Sequence, residues 1–269
     1  MRVSVVITYF NKGELVIRAV SSLENQVSPE DEVLIVDDAS QDSFAADALK
    51  VLKNAGIRSS LTSLPLNLGP GKAKNVGIDM AQGDIVILLD ADDELPPGSV
   101  DVIRRAFLDH PQADFIFGDY IVRDELGEHV EHVNCSQLAG TGGWLDMEKL
   151  ANSWILLGSS PFRKARLWPT SKYPTQFAST DDLDFWCSTI LAGAKGMYVR
   201  EQIYIWNRQL VSNNSSQNSR TLAKSWLRNQ AFYRRALPFR KFWRLLGKNL
   251  LTASFLGKLF RSFVTLFLR

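Results

Sequence analysis

Asp84-Ile85-Val86-Ile87-Leu88-Leu89-Asp90-Ala91-Asp92-Asp93-Glu94 is a short apolar run that passes without a break into an acidic cluster. A run apolar on both faces suits a strand of a parallel sheet covered by helices on both sides. Three more such runs occur, at Val3–Thr8, Glu32–Val36 and Asp114–Phe117. Helical spacing lies between them. Leu15, Ala19, Val20 and Leu23 share one face, and Ala73, Val76, Gly77 and Met80 share another. Gly83 reads as a stop after the second. Ser99 is expected to cap a helix through about Leu108, after a loop marked by Pro96, Pro97 and Gly98. The order β-α-β-α-β-α-β predicts an α/β fold with a doubly wound, mostly parallel sheet flanked by helices.

After Phe117 the pattern changes. Ile121–Val133 alternates around Glu125-Leu126-Gly127-Glu128 and predicts a hairpin. Gly140-Thr141-Gly142-Gly143 reads as a loop. Asp182–Leu191 is helical, with Leu183, Trp186, Cys187 and Ile190 on one face and Gly193 at its end. Ile203–Trp206 predicts a short strand, and the Ser/Asn-rich Ser212–Ser219 a loop. Two basic helices are expected to follow, divided at Leu237-Pro238. The expected organisation is a catalytic domain over residues 1–210 and a basic amphipathic helical tail over residues 219–269.

With 269 residues, 45% hydrophobic and 22% charged, the composition excludes a disordered chain, a collagen and a small disulfide scaffold. The formal charge of +2 hides an asymmetry: residues 1–201 carry −11 and residues 202–269 carry +13, with Glu201 the last acidic residue. Such a basic tail is expected to meet something anionic. Cys135 and Cys187 are too few for a disulfide framework and fit small packing residues. The start of the sequence reads as a strand and not as a signal peptide. No stretch of about 18 uncharged apolar residues suggests a transmembrane helix.

In an open α/β sheet, ligands bind beyond the carboxyl ends of the strands. Those ends here carry Thr8-Tyr9-Phe10-Asn11, Asp37-Asp38-Ala39-Ser40 and Asp90-Ala91-Asp92-Asp93-Glu94, with Asn67-Leu68-Gly69-Pro70-Gly71 leading into the helix of Lys72 and Lys74. Four carboxylates within five residues repel one another unless a cation offsets them. Hard oxygen donors without His or Cys favour Mg²⁺ or Mn²⁺, which retain waters and hold substrate phosphates. The lysines and the nearby helix N-terminus favour the same anion. The residues therefore point to a metal-diphosphate site.

These motifs resemble the family 2 glycosyltransferases, which have the GT-A nucleotide-diphospho-sugar transferase fold. The matching residues are Val5–Asn11, Val36–Asp42, Asn67-Leu68-Gly69, Lys74-Asn75-Val76-Gly77, Ala81–Asp84, Leu89–Asp93 and Asp181–Trp186, spread in order over about residues 1–210. The resemblance implies an inverting transfer from a nucleotide-diphospho-sugar, expected to be a UDP-sugar. It implies that Thr8 and Asp38 contact the base, with Phe10, Asn67 and Gly69 around the nucleotide-sugar. Asp90 is implied to face the ribose or the metal shell, Asp92 to be the main metal ligand, and Asp93 to be a second. Lys74 is implied to touch the nucleotide or diphosphate. Asp182, or the neighbouring Asp181, is implied to be the general base. The implied acceptor is a saccharide or lipid-linked saccharide in cell-surface polysaccharide or lipopolysaccharide synthesis.

The sequence departs from the family pattern in three places. Phe10 precedes Asn11, so a tyrosine hydroxyl near the base is lacking unless Tyr9 supplies it. Asp181-Asp182 leaves open which carboxylate acts. Tyr204-Ile205-Trp206-Asn207-Arg208 matches a family phosphate contact only loosely. Plainer readings stand beside these. Asp37-Asp38-Ala39-Ser40 could be an Asx turn, Lys74 a surface residue, and Asp182 a helix cap with Ser179. Trp144 and Trp154 either stack on an acceptor sugar or belong to the core. The tail, with Trp226, Phe232, Phe239, Phe242 and Trp243 among basic residues, fits an anionic membrane surface. That reading places the protein in the cytoplasm, peripheral at the inner face of the cell membrane. Packing on the core or a second subunit is its alternative, and no nucleic-acid motif accompanies the charge. The rival functions are a sugar-1-phosphate nucleotidyltransferase and a non-catalytic membrane-associated adaptor retaining the fold.

Overall fold

The computed structural model describes residues 1–124, 127, 129–153, 159–175, 181–208 and 234–235. In chain order the strands are β1 (Val3–Tyr9), β2 (Glu32–Asp37), β3 (Ser59–Ser63), β4 (Ile85–Asp90), β5 (Phe115–Asp124), β6 (Val130–Val133), β7 (Phe162–Arg163) and β8 (Gly196–Arg208). The helices are α1 (Leu15–Ser21), α2 (Phe44–Asn54), α3 (Pro70–Met80), α4 (Ser99–Asp109), α5 (Met147–Ser153), α6 (Lys164–Leu167) and α7 (Asp181–Leu191). The expected tail, residues 219–269, lies outside the described residues apart from positions 234 and 235, as do Trp154 and Ser179.

The sheet runs β3-β2-β1-β4-β7-β5-β6, with β8 also paired to β5. Pairing is parallel from β3 through β4, and β8 lies parallel to β5. The two-residue β7 is antiparallel to both β4 and β5, so β5 keeps the direction of β4 although they are not neighbours. Alternate residues of each buried strand feed opposite faces. Val5, Ile7, Ile35, Ile87 and Leu89 pack with α1, α2 and α4, whereas Val6, Leu34, Val86 and Leu88 pack with α3 and α7. This two-sided burial is what a strand apolar on both faces requires.

Several boundaries differ from the sequence reading. Asp114–Phe117 and the first arm of the Ile121–Val133 hairpin are one strand, β5, and Ile203–Trp206 is part of the longer β8. The two extend each other, in register from Phe115↔Gly196 to Asp124↔Arg208 with shifts around Asp119. Gly98, at φ +80°, is the N-cap of α4, and Ser99 is already helical. Two elements are additional to the sequence reading: α2, whose Ala45, Ala48 and Leu52 share one buried face, and β3, which reads Ser-Ser-Leu-Thr-Ser and is only partly buried. Trp144 packs against the core. Burial pushes both thiols up to about 12, so Cys135 and Cys187 are unreactive packing groups.

Two contacts fix the parallel half. Asp31 is fully buried; it accepts from the Val3 amide at 2.7 Å and pairs with Arg104 at 2.8 Å, tying the start of β1 to α4. Burial raises its carboxyl pKa, but Arg104 and the surrounding donors more than offset that and hold it below the ordinary carboxylate value. On the other face α3 lies close against β1 and β2 at Gly77, where an added Cβ would meet Val6 Cγ1 at 2.3 Å and Val36 Cγ2 at 3.1 Å. Gly77→Ala is therefore expected to lower stability by about 1–3 kcal/mol through overpacking, read from urea unfolding midpoints. An unchanged midpoint would contradict this packing.

Candidate functional site

Thr8 of β1 lies in register with Val36 of β2 and Asp90 of β4, so three strand ends meet at one rim of the sheet. Beyond β1 the chain turns through Asn11 at φ +48° and Gly13 at φ +58°. The turn is closely held. The Asn11 amide donates to Ser40 Oγ at 3.0 Å, the Gln41 amide donates to Asn11 Oδ1 at 2.9 Å, and the Gly13 amide donates to the Tyr9 hydroxyl at 3.1 Å. The Tyr9 hydroxyl in turn donates to Asp42. Burial and the nearby carboxylates raise its pKa above the ordinary tyrosine value. Tyr9 thus belongs to the core, while Phe10 is 42% exposed at the rim.

Asp38 is buried, and its two oxygens accept from the Leu68 amide at 2.7 Å and the Gly69 amide at 2.8 Å. Asn67 Oδ1 also accepts from the Gly69 amide, at 3.1 Å. The start of α3 therefore hangs from the end of β2, with Gly69 as its N-cap at φ +87°. The Asx turn expected in this stretch is made by Asp37, whose Oδ1 accepts from the Ser40 amide at 2.9 Å.

Lys74 is not a surface residue. It is 4% exposed. Its ammonium stands 2.7 Å from Asp182 Oδ1 and 3.9 Å from Asp90 Oδ1, and 5.2 Å from the centre of the Tyr173 ring. Tyr173 stacks on Phe185 of α7 at 4.1 Å and 7°. Asn75 fixes the Tyr173 backbone from both sides, donating to its carbonyl at 2.8 Å and accepting from its amide at 2.9 Å. Lys74 thus reaches the first turn of α7 at Asp182, and the next residue of α3, Asn75, holds the Tyr173 that stacks on Phe185. Asp181 opens α7, but its side chain lies outside the described residues.

The acidic turn after β4 is neutralised residue by residue. Lys12 Nζ is 2.5 Å from Asp92 Oδ2. Glu94 pairs with Arg123 and lies 3.3 Å from Arg18. Asp93 is buried, and its carboxylate faces β8: Oδ2 accepts from the Tyr204 hydroxyl at 2.6 Å and Oδ1 from the Asn207 amide at 2.8 Å. Burial, followed by repulsion from Asp90 and Asp92, raises the Asp93 pKa well above the usual carboxylate range. The Asn207 side chain donates to the Asp92 carbonyl at 2.9 Å and to Glu94 Oε1 at 3.1 Å. Lys12 and Tyr173 are site residues without a role in the sequence reading, and Tyr204 and Asn207, there a loose match to a phosphate contact, hold Asp93; Lys12 could have been flagged by its place after Asn11 at a strand end.

Among the described residues no three His, Cys, Asp or Glu side chains gather closely enough to enclose a metal ion. Asp92, paired with Lys12, and Asp90, 3.9 Å from the Lys74 ammonium, are the hard-oxygen groups at the rim, whereas Asp93 faces β8. Two carboxylates, with phosphate oxygens and water completing the shell, suit Mg²⁺ or Mn²⁺. In this structure Asp92 is paired with the Lys12 ammonium. Among the described residues no helix is long and apolar enough to cross a membrane.

The family described as "Glycosyl transferase family 2" matches residues 4–159. Among curated relatives, a poly(ribitol-phosphate) beta-glucosyltransferase of Bacillus spizizenii is 29% identical over 72% of this chain and 30% of its own length. The matches span about a third of the length of the first curated relatives. The crystal structure of S. aureus TarS 1-349 in complex with UDP-GlcNAc superposes with a TM-score of 0.73 at 21% identity, over 97% of this chain and 73% of that one. A mannosyltransferase from Pyrobaculum calidifontis, in complex with GDP-Man and Mn²⁺, superposes with a TM-score of 0.66 at 16% identity, over 97% of this chain and 72% of that one. At these identities the two structures show a shared fold.

Tyr204→Phe removes one donor to the buried Asp93 carboxylate. The expected cost is about 1–3 kcal/mol, seen as a lower thermal midpoint. A midpoint equal to that of the parent protein would show that Tyr204 does not hold the turn.

Proposed function

The chain belongs to glycosyl transferase family 2, and on that premise we propose that it moves a sugar from a nucleotide-diphospho-sugar to an acceptor hydroxyl with inversion at the anomeric carbon. The observation that carries the reading is the Lys74 ammonium lying between Asp90 on the donor side and Asp182 on the acceptor side. One buried cation joins the carboxylate beside the nucleotide strands to the carboxylate proposed as base.

In this reading Thr8, Phe10, Asp38, Asn67 and Gly69 surround the base and ribose, with Phe10 offering an exposed apolar face and Asp38 fixing the Leu68–Gly69 backbone. Lys74 and Asp90 lie toward the diphosphate. Asp182 accepts the proton of the acceptor hydroxyl as that oxygen attacks the anomeric carbon from the face opposite the diphosphate. The new carbon–oxygen bond forms as the bond to the diphosphate breaks, which inverts the centre. Asp92, with Asp90, would hold Mg²⁺ or Mn²⁺. Such an ion offsets the negative charge that develops on the departing diphosphate. Asp181 is the alternative base. A UDP-sugar is the favoured donor, consistent with the UDP-GlcNAc bound to the similar TarS fold.

The acceptor assigned here is a saccharide or lipid-linked saccharide of a cell-surface polymer, met at the cytoplasmic face of the membrane. The net charge of +13 over residues 202–269, interleaved with aromatic residues, supports contact with anionic lipid.

Two experiments test these assignments. A screen of UDP-, GDP- and dTDP-sugars for metal-dependent release of nucleoside diphosphate is expected to single out the UDP series. Asp182→Asn and Asp92→Asn should each lower transfer by at least about a hundredfold; full activity in both would refute the mechanism. For the tail, flotation with anionic vesicles should retain the full chain and lose one ending near Asn218. Equal binding by the two would exclude the membrane role.

A further inference from the structure

Lys12 stands out because it approaches the carboxylate assigned to the metal. Its ammonium is 2.5 Å from Asp92 Oδ2, with the two side chains 31% and 18% exposed. The contact joins residues 80 positions apart, from the turn after β1 to the turn after β4. Its direction is fixed at the backbone. Asn11 is bonded on both its amide and its side chain to Ser40 and Gln41, Gly13 is bonded to Tyr9, and the Lys12 carbonyl accepts from the Leu15 amide at 3.3 Å. The anchored backbone places the root of the Lys12 side chain within reach of Asp92, and the ion pair itself holds the ammonium there.

The other carboxylates of the turn do not relieve Asp92. Asp93 is engaged by Tyr204 and Asn207, and Glu94 by Arg123 and Arg18. Asp90 faces Lys74 at 3.9 Å. An ammonium and a divalent ion on the same carboxylate oxygen repel each other strongly at contact distance. The two cations therefore compete for Asp92.

We propose that Lys12 is the resident counter-ion of Asp92 in the empty protein, and that a divalent cation must displace it to bind. The inference rests on the assignment of Asp92 as metal ligand made above. It gives Lys12 a regulatory role: it keeps the acidic turn neutral without metal, and it sets how much metal is needed.

The test is direct titration of Mn²⁺ into the full chain without nucleotide, following the paramagnetic resonance signal of the free ion. Lys12→Met should bind Mn²⁺ about fivefold more tightly than the parent protein, because the competing charge is gone. Lys12→Arg keeps a cation and should stay within about twofold of the parent. Lys12→Gln provides a second neutral variant should the methionine variant fold poorly, with thermal unfolding recorded for each. Mn²⁺ affinity that is unchanged or weaker in the folded neutral variants overturns the proposal. Asp92→Asn in the Lys12→Met background separates the two ideas: it should abolish the gained affinity. If Mn²⁺ binding persisted there, Asp92 would not be the ligand, and the metal assignment would fail together with the competition built on it.

Discussion

Mutual repulsion among the carboxylates at the end of β4 is the constraint that the rest of the site answers. A buried strand delivers Asp90, Asp92, Asp93 and Glu94 to one turn, where like charges in a partly dry environment are costly. The fold meets that cost from four directions. Lys12 comes from the turn after β1, Lys74 from α3, Arg18 from α1, and Arg123, Tyr204 and Asn207 from the β5–β8 pair. Each element is held in the sheet or against it by its own packing, so the charges are offset by geometry set elsewhere in the molecule.

α3 has a second task. Its N-terminus hangs from Asp38, its middle presses on β1 and β2 at Gly77, and Lys74 and Asn75 reach across to α7 and the Tyr173 segment. The helix held at its start by the end of β2 therefore also positions the Asp182 carboxylate of α7, so the residues proposed for the donor and for the base share one element.

The parts of this arrangement that were legible in the sequence are those written in local pattern. β1, β2 and β4 are continuous apolar runs because both faces are covered, and their polar ends are adjacent in sequence to those runs. β3 carries no period to read, being a small polar edge strand, whereas α2 does show helical spacing at Ala45, Ala48 and Leu52 and was legible in principle. β5 and β8 were read too short because each is extended by pairing with the other, some 80 residues away. Asp93 was read as a metal ligand beside Asp92, since two adjacent aspartates look alike; only the return of β8 shows that one faces the rim and the other the interior. Lys74 and Asp182 are 108 residues apart, and nothing in either motif announces their contact. Spacing reveals which residues reach the strand ends, but not which charges meet there.

The position of Asp93 also bears on how mutational data from this site are to be interpreted. Its carboxylate joins the acidic turn to β8 through Tyr204 and Asn207, and the same Asn207 holds the Asp92 backbone and Glu94. Substituting Asp93 removes a structural strut before it removes a charge, leaving two donors without their acceptor. An inactive Asp93 variant consequently measures the integrity of the turn, and only a variant that unfolds like the parent can speak about chemistry. At Asp92, one residue earlier and facing the rim, the same substitution asks a different question.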